Sequence, residues 1–240
     1  MTDPAPLLDA IEATWPPART MREGPWTIRD GAGGGKRVSA ATAEAPVTAD
    51  DIATAEAAML ALDQPRLFML RPDEAALDRQ LADRGYEVID PVNLYVAPVE
   101  LLTDVPIPRV TAFAIWEPLA IMAEIWETGG IGPARLDVMH RAAVKTGILA
   151  RHADKPAGAG FVALHGGIAM AHAVEVLPHQ RRKGVAQWIM RRAAFWAAEQ
   201  GADRLAVLCT AANGPANALY QRLGFSALTG YHYRIHPEDT

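Results

Sequence analysis

The segment E-V-L-P-H-Q-R-R-K-G-V-A occupies residues 175–186 and joins an apolar run to a long helical pattern. The apolar run predicts a strand over 168–177, and apolar side chains then recur with helical spacing over 183–200. A strand, a turn and a helix bring unpaired backbone N–H groups and the positive end of the helix dipole to one place. The glycine leaves this backbone accessible, and the three basic residues before it add positive charge. The segment therefore predicts an anion site suited to a diphosphate.

Two motifs carry a resemblance to a known family. R-x-x-G-x-A at 181–186 resembles the acyl-CoA pyrophosphate loop of the GNAT superfamily of N-acyltransferases, and N-x-x-A-x-x-x-Y-x-x-x-G-F at 213–225 resembles its second motif. A basic run before a helix, taken alone, is more often only a solvated helix start. Two motifs in the family's order and spacing are more specific, and the resemblance covers about residues 109–236. It implies an α/β fold in which helices flank a mixed central sheet.

The resemblance also implies acetyl-CoA as the acyl donor. In the family pattern, the donor contacts come from the backbone of Val174 and Val176, the amides of Arg182, Gly184, Val185 and Ala186, the side chains of Arg181 and Lys183, and the second-motif residues Asn213 and Ala216. The same pattern has Tyr220 protonate or hydrogen-bond the departing sulfur of CoA. Asn213 and Tyr220 are two helical turns apart, which predicts one shared helix face. The alternative for Tyr220 is a tyrosine that only packs in the core.

The general base has two candidates on the central strand. His172 resembles the strand histidines that accept a proton in some family members, and its ordinary pKa near neutrality suits that role. Glu175 competes with it, and a regular strand would place the two side chains on opposite faces. A β-bulge, which this strand has in the family, would change that facing. A histidine alone in an apolar strand is otherwise more often a hydrogen-bonded core residue.

Composition narrows the class of protein. The 240 residues are 50% hydrophobic, which allows a sizeable core, and the formal net charge of −5 argues against a nucleic-acid surface. The single cysteine excludes an internal disulfide and suits a reducing cytoplasm. No apolar run is long enough to span a bilayer and no secretory leader is evident, so we expect a cytoplasmic protein without a membrane anchor. The dispersed histidines suggest no metal site.

An internal repeat organises the first half of the chain. Residues 66–86 align without a gap on residues 205–225, strand on strand, helix on helix and Gly-aromatic on Gly-aromatic. Glu74 stands where the second motif has Asn213, Leu81 stands in place of Tyr220, and an earlier helix opens with two aspartates instead of basic residues. We therefore expect two tandem GNAT-like units, a degenerate copy over 1–105 and a catalytic domain over 106–240.

Glycine runs mark two further segments. The run G-A-G-G-G-K at 31–36 lacks the spacing of a phosphate loop, so we interpret it as a hairpin tip between strands over 26–29 and 37–42. The run G-G-I-G-P at 129–133 separates two predicted helices and, in the family pattern, borders the acceptor pocket. Trp126, Glu127 and Met139 are candidate lining residues there, although most such residues simply pack or face solvent.

Two hypotheses follow from these observations. The first is an N-acetyltransferase that acts on a small-molecule or peptide amine in a ternary complex with acetyl-CoA. The second is a regulatory module that binds acyl-CoA without turnover. The residues favour the enzyme, because both the pyrophosphate loop and Tyr220 are present. A homodimer is compatible with either hypothesis.

Overall fold

A computed structural model describes residues 5–240 as an α/β protein. Its α-helices are α1 (Ala5–Thr14), α2 (Lys36–Ser39), α3 (Ala49–Ala61), α4 (Ala75–Asp83), α5 (Ala120–Thr128), α6 (Pro133–Arg141), α7 (Val185–Glu199) and α8 (Gly214–Arg222). Its strands are β1 (Arg19–Glu23), β2 (Trp26–Asp30), β3 (Thr42–Ala43), β4 (Leu67–Leu70), β5 (Glu87–Pro98), β6 (Ala112–Ile115), β7 (Val144–His152), β8 (Lys155–His165), β9 (Ile168–Val176), β10 (Arg204–Thr210) and β11 (Ser226–Ile235). None of the helices described is long and apolar enough to cross a membrane.

The chain forms two compact units that do not follow a single cut in the sequence. The first unit contains residues 5–16 together with Leu94–Leu208 and Pro215–Leu228. The second contains Pro17–Asn93, Cys209–Gly214 and Thr229–Thr240. The N-terminal helix therefore belongs to the same unit as residues 94–208, and residues 229–240 belong to the same unit as residues 17–93. The division into a degenerate domain over 1–105 and a catalytic domain over 106–240 remains a prediction.

The first unit is built on a mixed sheet. Its strands follow the order β5-β10-β9-β8-β7-β6, with β9 parallel to β10 and antiparallel pairing from β9 outward to β6. A parallel pair needs a crossover, and α7 supplies it between β9 and β10. The strand over 168–177 and the helix over 183–200 that the sequence predicts are thus confirmed to within two residues.

Helices cover both faces of this sheet. On one face, α1 buries Leu7, Ala10 and Ile11 against Ile168 and Met170 of β9. On the other face, α7 lies close to β8, because Gly160 has no side chain there. A Cβ at Gly160 would stand 2.6 Å from Cγ2 of Ile189. These contacts fix β9 between α1 and α7, with its C-terminal end leading into the basic loop.

The second unit has its own core and corrects one prediction. β1 and β2 form the hairpin, in which Arg19 pairs with Asp30 and Glu23 pairs with Trp26. β3 pairs with the other side of β2. The prediction of a hairpin around the glycine run was wrong, because residues Lys36–Ser39 wind into the short helix α2 instead of a strand. The real turn lies at Gly24, whose φ of 55° suits glycine.

The repeat in the sequence is matched element by element. In the alignment of 66–86 on 205–225, the first and last residues of α4 fall on the first and last residues of α8. Gly85 and Gly224 follow these helices with the same φ of 83°. The two segments therefore share a strand, a helix and a left-handed glycine cap.

Candidate active site

The loop between β9 and α7 exposes backbone amides at a helix start. Gly184 occupies the left-handed region with φ 78° and ψ 4°, and no side chain caps the helix that begins at Val185. Arg182 also has a positive φ, of 64°. The first N–H groups of a helix have no partner within the helix, and alternating left-handed residues turn successive N–H groups toward one point. The geometry suits an anion at this loop.

Basic side chains surround the same loop. Residues 181–184 are exposed, and within them Lys183 donates from Nζ to Oε1 of Gln180 at 3.2 Å. Arg181 donates from Nε to the carbonyl of Val176 at 3.1 Å and from Nη2 to Oε1 of Glu175 at 3.3 Å. Arg181 is thereby held to the end of β9, and its positive charge adds to that of the helix dipole.

The end of β9 leaves its parallel neighbour before the strand finishes. In the parallel pair of β9 and β10, the first partners are Ile168 and Arg204 and the last are Ala171 and Val207. β9 then continues to Val176. Backbone groups beyond the last pair have no ladder partner on that side, so this is where an extended ligand can bind to a strand. Val174 and Val176, which the sequence singled out, lie in this unpaired part and are half-buried.

A β-bulge interrupts β9 on its other side. In the pairing with β8, Phe161 lies opposite His172 and Ala159 lies opposite Glu175, so Ala173 and Val174 together oppose the single residue Gly160. Ala173 lies in this bulge with φ 49°. The bulge restores the same facing to His172 and Glu175, which regular alternation would have placed on opposite faces. Both side chains lie on the face covered by α1 and α5.

His172 is enclosed by aromatic rings and a hydroxyl. It is 5% exposed, and its ring centre lies 5.1 Å from that of Trp15 and 6.1 Å from that of Phe161. Thr14 Oγ1 donates its one hydrogen to the carbonyl of Ala10 at 2.5 Å and lies 2.9 Å from Nε2 of His172. The hydroxyl oxygen therefore accepts from His172, which places a hydrogen on Nε2.

Glu175 lies in a more open position. Its side chain is 19% exposed, its Oε1 accepts from Arg181, and its carboxylate packs against Gly129 at the end of α5. The indole of Trp126 donates from Nε1 to the carbonyl of Ala173 at 2.9 Å, in the bulge two residues before Glu175. Of the two base candidates, Glu175 is the one that solvent reaches at the unpaired end of β9.

The predicted lining residues of the acceptor pocket divide into two kinds. Trp126 and Met139 are fully buried, whereas Glu127 is exposed on α5. Trp126 thus contacts the bulge of β9 through its indole N–H. The sequence contained no signal for this contact or for that of Thr14, because both partners are far from β9 along the chain.

The second motif lies at the start and middle of α8. Tyr220 is 5% exposed, with its ring centre 5.6 Å from that of Tyr95 and 5.8 Å from that of Phe225. Tyr95 donates from its hydroxyl to Oδ1 of Asn217 at 2.9 Å. Asn213 is exposed and precedes the helix, which begins at Gly214. Asn213 thus lies one residue before the helix, and its sharing of a face with Tyr220 stays a prediction. Ala216 is half-buried in the first turn.

Among residues 5–240, no group of three or more histidine, cysteine, aspartate or glutamate side chains is arranged to hold a metal ion. Cys209 is buried, and burial raises the pKa of its thiol. A buried thiol with a raised pKa is a poor nucleophile. The thiol is therefore a poor candidate for the chemistry, and the exposed amides of the loop, Glu175, His172 and Tyr220 stay the predicted site groups.

Comparison with known sequences identifies the second half of the chain. The profile of the Acetyltransferase (GNAT) family matches residues 116–225. An uncharacterized N-acetyltransferase, YobR of Bacillus subtilis, is 25% identical over 233 residues, which span 93% of this chain and 94% of that protein. Streptothricin acetyltransferase of Streptomyces lavendulae is 43% identical over 53 residues, 22% of this chain and 28% of that enzyme.

Solved structures share the fold over nearly the whole chain. A GCN5-related N-acetyltransferase from Kribbella flavida superposes with a TM-score of 0.71 at 18% identity, covering 97% of this chain and 93% of the other. A tandem GNAT protein from the clavulanic acid biosynthesis pathway superposes with a TM-score of 0.60 at 14% identity, covering 94% of this chain and 86% of the other. The profile match, the names of the relatives and the shared fold agree with the loop at 181–186. Residues 116–225 form a GNAT acetyltransferase domain, and the family match and the names of the relatives support an acyltransferase.

Proposed function

We propose that this protein transfers an acetyl group from acetyl-CoA to a primary amine, by direct attack of the amine while both substrates are bound. The observation that carries the proposal is the junction of β9 and α7. There, an uncapped helix start with two left-handed residues adjoins a strand end that has left its parallel neighbour. Such a junction offers amides for a pyrophosphate and strand backbone for an extended arm.

The donor contacts divide between these two elements. The amides of Arg182, Gly184, Val185 and Ala186 would hold the pyrophosphate, with Arg181 and Lys183 near the phosphates or solvent. The backbone of Val174 and Val176 would hold the pantetheine arm, and Asn213 and Ala216 complete the donor contacts in the family pattern. The supporting facts are the exposure of residues 181–184 and the unpaired end of β9. A helix dipole and three basic residues favour the anion further.

The acyl transfer itself needs a proton acceptor and a proton donor. The amine nitrogen attacks the carbonyl carbon of the thioester, the C–S bond breaks, and the ammonium proton leaves to a base. We assign the base to Glu175, because its carboxylate is partly exposed beside the unpaired end of β9. His172 is the competing assignment, acting through water or a shift of α1. Tyr220 would protonate the departing thiolate.

The acceptor is a small-molecule or peptide amine. Acceptor identity is tested with acetyl-CoA and a panel of amines that includes polyamines, amino acids, peptide N-termini and streptothricin. The assay measures thiol release together with the mass of the acetylated product. Turnover on one class with an acetyl adduct on nitrogen supports the proposal. Binding of acetyl-CoA without thiol release for any amine in the panel would favour a binding module and overturn the proposal.

Two variants distinguish the base candidates. Glu175→Gln keeps the shape of the side chain and removes the carboxylate, so we expect kcat to fall by about 10²-fold or more. His172→Asn, in contrast, should alter stability more than kcat, because His172 is buried and bonded to Thr14. A wild-type kcat in Glu175→Gln with a collapsed kcat in a folded His172→Asn would transfer the role to the histidine.

A further inference from the structure

We propose that Gly129 is a positioning residue, which sets the place of the Glu175 carboxylate from the C-terminal end of α5. The inference rests on the proposed function, because it concerns the base assigned there. A Cβ added at Gly129 would stand 2.5 Å from Oε2, 2.6 Å from Cδ and 2.8 Å from Cγ of Glu175. Carbon and oxygen atoms in ordinary contact are well over 3 Å apart. The carboxylate therefore occupies the volume that any other side chain at this position would take.

The backbone of Gly129 does not itself require glycine. Its φ of −88° and ψ of 7° are open to every residue type, and it ends α5 in an ordinary way. Gly130, the next residue, is the opposite case. Its φ is 76°, and a Cβ there would meet nothing within 4 Å. The two neighbours are glycine for different reasons: one for the approach of Glu175, the other for its backbone conformation.

The same turn of α5 also holds the strand that carries Glu175. Trp126, fully buried, donates from its indole to the carbonyl of Ala173 in the bulge. The bulge is what turns Glu175 to the face covered by α5. One helical turn thus fixes both the backbone before Glu175, through Trp126, and the carboxylate itself, through the space at Gly129. Arg181 restrains Oε1 from the side of the donor loop.

A displaced carboxylate is costly for catalysis even when the fold is intact. Misplacing a reacting group by about 1 Å can cost about 10²-fold in rate. The Glu175 side chain is flexible, so an alanine at Gly129 would push the carboxylate aside before it disturbed the backbone. Stability should not fall, because alanine accepts this backbone conformation and narrows the conformational freedom of the unfolded chain. The two readouts should therefore separate.

The test compares Gly129→Ala with Gly130→Ala in the full chain. For Gly129→Ala we expect an unchanged or higher melting temperature, an unchanged KM for acetyl-CoA, and a kcat at least about tenfold lower. For Gly130→Ala we expect a lower melting temperature, because alanine is strained at positive φ, and a kcat clearly above that of Gly129→Ala, because its Cβ would meet nothing within 4 Å. A wild-type kcat in Gly129→Ala, or an equal loss in both variants, would overturn the positioning role.

A second comparison shows whether the loss acts through Glu175. In a Glu175→Gln background, Gly129→Ala should cause no further decrease in kcat, because the carboxylate it displaces is already gone. A full additional loss in that background would contradict the inference. A reduced kcat in Glu175→Gln together with a wild-type kcat in Gly129→Ala would overturn the positioning role alone. A wild-type kcat in Glu175→Gln would overturn the base assignment in the proposed function, and the role of Gly129 with it.

Discussion

Two glycines at opposite ends of α7 provide a matched test of the donor loop. Gly184 precedes the helix with φ 78°, and Gly201 follows it with φ 79°. A Cβ at Gly184 would have Trp188 Nε1 as its nearest neighbour at 4.0 Å, and a Cβ at Gly201 would meet nothing within 4 Å. Alanine therefore meets the same backbone strain and open space at both positions. Only Gly184 belongs to the proposed pyrophosphate loop.

The expected effects on stability are equal. The left-handed conformation costs an L-residue about 1–2 kcal/mol, so Gly184→Ala and Gly201→Ala should lose similar free energies of unfolding. For a chain of this size, each kcal/mol lowers the melting temperature by about 2–4 °C. The effects on donor binding should differ. A hydrogen bond to a charged group contributes about 1.5–3 kcal/mol, so holding one phosphate oxygen away from an amide weakens binding by about tenfold or more.

Calorimetry with CoA measures this difference directly. We expect the Kd of Gly201→Ala to equal that of the wild type and the Kd of Gly184→Ala to rise by at least about tenfold. Unchanged affinity in Gly184→Ala would refute close approach of the pyrophosphate to this backbone. Equal weakening in both variants would show that strain in α7, and not the Cβ at the loop, controls binding.

Further predictions concern the acid, the bulge, the termini and the stoichiometry. Tyr220→Phe should lower kcat by about 10²-fold with donor affinity retained. Tyr95→Phe loses only its hydrogen bond to Asn217 and should keep the wild-type kcat. Equal kcat values in the two variants would remove Tyr220 from the mechanism. Trp126→Phe should cost about 1–3 kcal/mol in denaturant unfolding, because the bulge carbonyl loses its donor. Hydrogen bonds from Arg66 lower the pKa of Asp239. This carboxylate therefore stabilises the fold above its unfolded pKa of about 3.9, and the effect is lost as the pH falls through its lower folded pKa. In Asp239→Asn, the free energy of unfolding should decrease less below about pH 4 than it does in the wild type. Titration with CoA should give one equivalent per chain, and two equivalents would contradict the assignment of a single donor loop.

Local chemistry made the basic loop before α7 and the repeat predictable from sequence. The apolar side chains after Gly184 recur with helical spacing, and residues Val185–Glu199 are indeed helical. The alignment of 66–86 with 205–225 succeeded because each segment is one strand and one helix ending in a left-handed glycine. Both signals are contained within a few consecutive turns of chain.

Features that depend on neighbouring strands were not predictable. The facing of Glu175 depends on a bulge whose existence is set by pairing with β8. The hydrogen on His172 Nε2 is set by Thr14, 158 positions away in the chain. In each case the deciding partner lies far away in sequence.

The N-terminal ends of α3 and α7 differ in how their first amides are bound. Thr48 caps α3 by accepting from the amide of Asp51 at 3.3 Å, and Asp51 returns the bond by accepting from the amide of Thr48 at 2.8 Å. The Thr48 hydroxyl also donates to Oδ2 of Asp51 at 2.6 Å, and this bond, together with the one from the Thr48 amide, lowers the pKa of the Asp51 carboxyl. The end of α3 is thus closed by its own anion, a stabilising arrangement for a helix with no ligand. At α7 no side chain closes the end, and its dipole is left to act on an external anion. We therefore expect a phosphate to bind at the uncapped start of α7 and to be repelled from the start of α3, which Thr48 and Asp51 cap.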